Sequence, residues 1–162
     1  YEDQFPFVWR TLRRLGVPES SLDDAAQDVF VVVHRQLAGF EGRSSLRSWL
    51  FGIVRRVARD HRRRRTRKDG GRQGHAPLHP DQPDQAPGPH ELAERARAWA
   101  LVKACLESLD ENKREVFVLA DLEGMSAPEI ADVVGIPLNT VYSRLRVARQ
   151  RFESALQERT TP

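Results

Sequence analysis

The sequence predicts an all-α protein made of two small helical domains joined by a flexible linker. Residues 1–65 and residues 91–162 both repeat apolar side chains every three or four positions, as amphipathic helices do. Between them, residues 66–90 hold five of the ten prolines and four of the ten glycines, with almost no large apolar side chain. Such a segment cannot bury a core, so we predict a linker there.

Two helices are expected at the start of the first domain, over residues 5–15 and from about residue 21 to residue 38. A glycine follows each of them, which is a common stop signal. The apolar spacing of the second helix predicts an inward face formed by Ala25, Ala26, Val29, Phe30, Val33 and Leu37. Val31 and Val32 then face outward, either as a partner surface or beneath a neighbouring helix, and both alternatives stay open.

The third helix follows a short loop, residues 40–45, which we call the base loop. Its buried stripe is predicted to consist of Leu46, Trp49, Leu50, Ile53, Val54 and Val57. A separate set of side chains, the arginine face, is expected to point outward and consists of Arg55, Arg59, Arg62 and Arg63. The apolar anchor and the positive charge therefore lie on different sides of one helix.

The net charge of +3 is unevenly divided along the chain. Residues 1–68 carry 15 Lys and Arg against 8 Asp and Glu, whereas residues 69–162 carry 11 against 15. A basic half indicates a polyanionic partner, most often nucleic acid, although a solvated basic face is the simpler alternative. Because the halves have opposite signs, we hypothesise that the acidic half or the linker partly masks the arginine face in the free protein.

The second domain contains a helix-turn-helix pattern. Two helices are expected first, over residues 92–109 and 116–122. Ser126 and Glu129 then have the spacing of a capping box, Gly135 provides the turn, and a last helix runs from about Leu138 to Gln157.

The last helix is predicted to pack through Val141, Leu145 and Ala148. Its outward side chains, the recognition face, are Asn139, Thr140, Tyr142, Ser143, Arg146 and Arg149. Hydrogen-bonding groups at the start of such a helix suit the edges of bases in the major groove. The alternative is an ordinary helical hairpin with a solvated face.

We expect a cytoplasmic protein with no membrane insertion. No apolar run approaches the roughly 20 residues of a membrane span, and no secretory leader is evident. The single Cys105 cannot form an internal disulfide, and its apolar neighbours predict a buried structural thiol. No cofactor is expected.

The two halves together resemble the extracytoplasmic-function sigma factors of bacterial RNA polymerase. The stretch DDAAQDVFVVVHRQLAGFEGRSSLRSWLFGIVRRVARDHRRRR is similar to the second conserved region of that family, which binds core polymerase and melts the promoter. The stretch LDENKREVFVLADLEGMSAPEIADVVGIPLNTVYSRLRVARQRF is similar to the fourth region, which reads the upstream element. The resemblance implies three partners: the β and β′ subunits of core polymerase, promoter DNA and an anti-sigma protein.

The resemblance also assigns expected roles to single residues. Docking on core polymerase is expected of Asp24, Gln27, Asp28, Phe30 and Val31. Contact with the melted minus-ten strand is expected of Phe40, Arg43, Ser44, Ser45, Arg47, Arg55, Arg56, Arg59, Arg62 and Arg63. In the family the base loop captures a flipped base above Trp49, and the recognition face reads the minus-thirty-five element. Arg56 departs from the asparagine that is common in the family, which affects the expected minus-ten sequence.

Two other functions are compatible with parts of the sequence. A helix-turn-helix regulator acting without polymerase would explain the second domain and the basic half, but not the exposed valines or the base loop. A metal-dependent nuclease would need ligands from Asp23, Asp24, Asp28, His34, Asp60 and His61, or from His75, His79, His90 and Asp81. Several acids of the first set sit at a helix start, where negative charge favours the helix dipole anyway, and a Pro-rich coil does not preorganise the second set. We therefore expect no enzymatic activity.

Overall fold

The computed structural model describes residues 4–68 and 88–160, with side chains as far as Arg65 in the first range. Within these ranges the chain is helical and contains no strand, which confirms the all-α prediction. The helices are α1 (Phe5–Arg14), α2 (Leu22–Gln36), α3 (Leu46–Lys68), α4 (Pro89–Glu107), α5 (Glu111–Phe117), α6 (Ala127–Val134) and α7 (Leu138–Thr160). Most of the predicted linker lies outside the described residues, although α3 continues to Lys68 and α4 begins at Pro89.

The N-terminal half, residues 4–68, is a bundle of α1, α2 and α3. Its core contains Val8, Leu12, Leu22, Val29 and Val54, all fully buried. These side chains repeat at helical spacing, so each helix buries one apolar side against the other two. The bundle fixes the direction of α3 and therefore the position of its arginines.

Several sequence predictions for this half are wrong at helix ends. Leu37 and Leu46 were expected in the core, but each keeps 51 % of its surface exposed. Leu37 begins a short 3₁₀ turn after α2, and Leu46 is the first residue of α3, so neither lies over the bundle. Val31 is exposed as expected, whereas Val32 is half-buried against the core.

The C-terminal half, residues 88–160, contains the helix-turn-helix. Ser126 caps α6 with both hydrogen bonds of the predicted capping box, and Gly135 ends the helix with φ of +72°. That left-handed conformation favours glycine. The predicted start of α7 and its buried Val141, Leu145 and Ala148 are confirmed.

One element of the C-terminal half was not predicted. α5 is followed by a π-helical turn over Val118–Leu122, where the sequence indicates an ordinary helix. π-helical turns are often found at functional sites. Here the turn leads to Glu123, whose side chain is fully buried.

The two halves pack against each other, and we call this packing the closed arrangement. Phe51 of α3 is fully buried in a cluster with Val116 and Leu119 of the C-terminal half, and it meets Phe7 edge-to-face at 4.9 Å between ring centroids. A second cluster joins Leu12 of α1 to Leu106 of α4. The apolar cores of the two halves are therefore continuous.

Arg114 lies at the junction, beside Gly16, and is held there by its own half. Its guanidinium Nε and Nη2 donate to the carbonyl oxygens of Leu106 and Leu109, at 2.8 and 3.1 Å. Burial, followed by the positive charge of Arg62, lowers the pKa of the Arg114 guanidinium. A Cβ at Gly16, whose φ is +88°, would collide with the same guanidinium, so both the turn after α1 and the junction require glycine there.

Within the described ranges, no helix combines the length and the apolar character needed to cross a membrane. Cys105 is buried, as its apolar neighbours predict.

Candidate nucleic-acid interface

A cavity of about 360 Å³ lies at the start of α3, beside the base loop. On the N-terminal side it is lined by Arg43, Ser44, Ser48, Trp49 and Arg56. Arg43 and Ser44 of the base loop are exposed, whereas Trp49 is half-buried and packs on the core. The cavity therefore combines a rigid aromatic wall with cationic and hydroxyl groups.

The base loop is held in place by contacts with the first turn of α3. The hydroxyl of Ser45 accepts a hydrogen bond from the backbone N–H of Ser48 at 3.0 Å, which caps the helix. The Phe40 ring lies 5.2 Å from the Trp49 ring, tilted by 47°. Ser45 thus has a structural role in addition to its predicted contact with DNA, and Arg43 pairs with Glu41 in the same loop.

Three of the four arginines of the arginine face do not point to solvent, contrary to expectation, whereas Arg63 is exposed. Arg55 pairs with Glu115 of α5. Arg59 Nε lies 3.3 Å from Glu111 Oε1, and Arg59 Nη2 donates a hydrogen bond to Asn112 Oδ1 at 3.1 Å. Arg62 Nη1 lies 3.5 Å from Glu111. Only 18 % of the Arg55 side chain remains exposed. The physical reason is that α5 of the acidic half lies along this side of α3.

A second group of arginines surrounds Glu123. Arg14 Nη1 donates to its carboxylate at 2.8 Å, the Thr11 hydroxyl donates to the same oxygen at 3.2 Å, and Arg10 lies 3.8 Å away. Arg47 donates to the Glu123 carbonyl oxygen at 2.7 Å. Glu123 therefore joins the turn after α5 to α1 through its buried carboxylate and to α3 through its carbonyl oxygen.

The acidic half also reaches the cavity. Glu129, Asp132 and Val133 of α6 line it opposite Arg43 and Arg56. Hydrogen bonds from the Ser126 backbone and then from the Ser126 hydroxyl lower the pKa of the Glu129 carboxyl. Two carboxylates therefore face a site that sequence reasoning assigns to a nucleic-acid strand.

The recognition face of α7 remains largely open. Asn139, Tyr142, Ser143 and Arg146 are exposed, and Tyr142 keeps 54 % of its surface. Arg149 forms two hydrogen bonds with Asp121, at 2.6 and 2.8 Å, and this hydrogen bonding to Asp121 raises the pKa of its guanidinium. That pair lies within the C-terminal half and does not involve α3.

The residues expected to dock on polymerase lie on α2. Asp24, Gln27, Asp28 and Val31 are exposed at the spacing of one helical face. Phe30 does not join them, since its half-buried ring stacks on Phe5 with the centroids 6.1 Å apart. The structure thus brings four of the five predicted residues together.

The candidate metal ligands show one pairing. His61 Nε2 lies 2.8 Å from Asp28 Oδ2. Among the described residues, no three His, Cys, Asp or Glu side chains come together as metal ligands would. His75, His79 and Asp81 lie outside the described residues.

Sequence reasoning missed the carboxylates that meet the N-terminal half, above all Glu111, Glu115 and Glu123. The excess of acids after residue 68 indicated complementary charge, but helical spacing within one half cannot show which acid meets which arginine. Phe51 was missed for the same reason, because its apolar partners come from the other half.

Similarity to known proteins identifies the family to which this chain belongs. A family model for sigma-70 region 2 matches residues 1–68, and one for sigma-70 region 4 matches residues 99–152. The chain is 34 % identical over 148 residues to the RNA polymerase sigma factor CnrH of Cupriavidus metallidurans, covering 89 % of this chain and 78 % of that protein. It is 30 % identical over 155 residues to the ECF sigma factor SigE of Mycolicibacterium smegmatis, covering 95 % and 59 %.

Two solved structures of sigma factors are also similar to this chain. The sigma factor RpoE in complex with the anti-sigma factor NepR from Bartonella quintana superimposes with a TM-score of 0.72 at 25 % identity, covering 94 % of this chain and 91 % of that one. CnrH in complex with the cytosolic domain of CnrY gives 0.68 at 30 % identity, covering 99 % and 86 %. The chain belongs to the extracytoplasmic-function group of the sigma-70 family, whose members are sigma factors that direct transcription.

Proposed function

We propose that this sigma factor binds core RNA polymerase in the cytoplasm and directs promoter-specific initiation without catalysing a reaction itself. Residues 1–65 hold the melted minus-ten strand, residues 91–162 read the minus-thirty-five duplex, and residues 66–90 join the two domains. The observation that carries this proposal is the cavity beside Trp49, because it lies at the start of an arginine-rich helix.

The polymerase contacts are assigned to the exposed face of α2. Asp24, Gln27, Asp28 and Val31 form a mixed acidic and apolar strip, which suits docking on the β and β′ subunits. Phe30 supports the strip by stacking on Phe5 rather than by direct contact. The curated relatives are named RNA polymerase sigma factors, which supports the same partner for this chain.

The minus-ten contacts are assigned to the cavity and the arginine face. A flipped base loses stacking worth a few kcal/mol, so its site must supply compensating contacts. Trp49 and Phe40 offer aromatic surface, and Arg56 adds donors in the cavity. Arg55, Arg59, Arg62 and Arg63 follow along α3 and suit the phosphates of the same strand.

The minus-thirty-five contacts are assigned to the recognition face. Asn139, Ser143 and Arg146 are exposed at the start of α7, where side chains of a helix-turn-helix reach base edges. An anti-sigma protein is proposed as a further partner, because both similar solved structures are complexes with anti-sigma factors or their domains.

Reconstitution tests the whole proposal. The purified chain should be retained by core RNA polymerase, and sequencing of transcripts made by the holoenzyme should reveal one pair of promoter elements. If core polymerase does not retain the chain, the sigma-factor mechanism fails. Specific duplex binding without retention would favour the regulator that acts without polymerase.

A pair of arginine substitutions tests the minus-ten assignment in the holoenzyme. Arg59→Ala with Arg63→Ala should weaken binding to a pre-melted promoter. The slope of log affinity against log salt concentration should become less steep by about 0.7 per lost phosphate contact. Arg64→Ala with Arg65→Ala, at neighbouring exposed positions, removes the same charge and serves as the control. Equal losses in both variants would contradict a specific arginine face.

A further inference from the structure

We propose that the closed arrangement is a self-masked form of the free protein: carboxylates of the C-terminal half cover the strand-binding side of α3, while the recognition face of α7 stays open. This inference rests on the proposed function, because it assumes that α3 holds the minus-ten strand. It predicts that the free protein is competent for duplex DNA and poor at binding single strands.

The first observation is the cover on the arginine face. Glu115 pairs with Arg55, and Glu111 lies within 3.5 Å of both Arg59 and Arg62. These carboxylates occupy the donors that would otherwise meet phosphate oxygens, since both anions suit the same guanidinium geometry. A strand can use these arginines only after α5 has moved away.

The second observation is the cover on the cavity. α6 contributes Glu129 and Asp132 to the wall opposite Arg43 and Arg56. A phosphate entering this space would be repelled by two carboxylates, and the wall itself narrows access to Trp49. The base site and the arginine face are thus covered by two different helices of one half.

The third observation is that the recognition face takes no part in the cover. Asn139, Tyr142 and Arg146 remain exposed in the closed arrangement. Arg149 is held by Asp121 of its own half, so opening the two halves does not change that pair directly. Masking is therefore selective for one of the two DNA-binding surfaces.

The polar side of the junction is held by ion pairs, some of which lack hydrogen-bond geometry. Arg59 Nε lies 3.3 Å from Glu111 Oε1, and Glu115 Oε2 lies 3.8 Å from Arg59 Nη2. Opening returns these charges to water, and this hydration offsets part of the attraction that is lost. The apolar contacts of Phe51 act in the other direction and hold the halves together.

The expected consequence is a reduced apparent affinity for single strands. When only a fraction of the molecules is open, the dissociation constant rises by the inverse of that fraction. Neutralising the cover should therefore raise single-strand affinity by about tenfold if the open fraction rises from about a tenth to nearly all molecules.

The test measures binding of the free full-length chain to a random-sequence 20-nucleotide single strand, and separately to a random-sequence duplex of equal length, by fluorescence anisotropy. The variant Glu111→Gln with Glu115→Gln removes two carboxylates from the cover. The control Glu153→Gln with Glu158→Gln removes two exposed carboxylates of α7 and changes the net charge equally. We expect about a tenfold gain for the single strand only in the cover variant, with duplex affinity matching the control.

Equal single-strand gains in both variants, or no gain in either, would overturn the inference. A parallel gain for the duplex would also overturn it, because masking would not be selective. Asp132→Asn provides a second variant at an exposed position on α6, where loss of folding is not expected, and it should raise single-strand affinity in the same direction. Circular dichroism identifies any variant that has lost helix.

Adding Arg59→Ala and Arg63→Ala to the cover variant separates this inference from the proposed function. If the gain disappears, α3 is the surface that was unmasked. If the gain persists, the strand binds elsewhere and the minus-ten assignment fails. Absence of any gain, with normal strand binding by the holoenzyme, would remove the masking and leave the proposed function intact.

Discussion

The two surfaces proposed to bind DNA differ in their exposure to solvent in the closed arrangement. The arginine face of α3 is dense in charge and lies under α5, whereas the recognition face of α7 has few charges and remains open. A dense cationic surface attracts any polyanion, while scattered hydrogen-bonding groups bind only where base edges match them. Under the proposed assignments, the cover therefore lies on the less selective of the two surfaces.

The largest expected effect comes from the apolar contact that holds the covered surface in place. Phe51→Ala should lower the free energy of unfolding by about 3–5 kcal/mol, because the ring is fully buried between the halves. Urea unfolding measures the loss. Phe152→Ala is the control, since that half-buried ring stacks on Phe117 within the C-terminal half and should cost less. A loss below about 1 kcal/mol at Phe51 would show that the closed arrangement is not populated in solution.

The next effect concerns the ion pair that covers Arg55. Glu115→Ala should cost about 3 kcal/mol, because it leaves the Arg55 guanidinium largely buried without its partner. Replacing both residues, Arg55→Met with Glu115→Leu, should recover stability to within about 1 kcal/mol of the original chain. Thermal or urea unfolding of the two variants makes the comparison. A double variant as unstable as the single one would argue against the pair.

On the open surface, Arg146→Ala should weaken binding to the minus-thirty-five duplex by about 1–3 kcal/mol, the cost of one lost base contact. The duplex sequence comes from the transcripts of the reconstituted holoenzyme, and anisotropy of the free chain gives the affinity. Arg151→Ala, at an exposed position on the same helix, controls for charge. Equal losses at Arg146 and Arg151 would mean that the contact is electrostatic and carries no sequence information.

The sequence predicts the open surface better than the covered one. The helix-turn-helix depends on local signals, such as the Ser126 cap, Gly135 and the inward spacing of Val141, and each has a direct counterpart in the structure. These signals act within a few residues, so they can be read along the chain. The expected helices and their inward faces follow for the same reason.

The cover depends on pairs that are distant in sequence. Arg55 meets Glu115 across 60 residues, and Thr11 meets Glu123 across 112. Helical periodicity places Arg55 away from the core of its own bundle, which is correct, but it cannot show that another domain lies there. The same limit explains why Phe51 was not expected in the core, because its apolar partners lie in the other half.

The smallest expected effect concerns the start of α5, the helix that carries Glu111 and Glu115 to the arginine face. Asp110 caps this helix by accepting from the Lys113 backbone N–H at 3.0 Å. Burial alone would raise the pKa of its carboxyl, but the hydrogen bonds and positive charge of Lys113 outweigh it, and the pKa lies below that of an ordinary aspartate. Asp110→Asn keeps a good cap and removes only the charge, so it should cost about 0.3–1 kcal/mol near neutral pH.

The pH dependence of this difference follows from the sign of the shift. A carboxyl whose pKa is lower in the folded state than in the unfolded chain stabilises the fold above the unfolded pKa. That contribution is lost as the pH falls through the folded pKa. The stability difference between the original chain and Asp110→Asn should therefore be constant near neutral pH and disappear below the folded pKa. Urea unfolding of both proteins across this range measures the stability difference. A difference that grows on acidification would contradict the prediction that the charged form of Asp110 stabilises the start of α5.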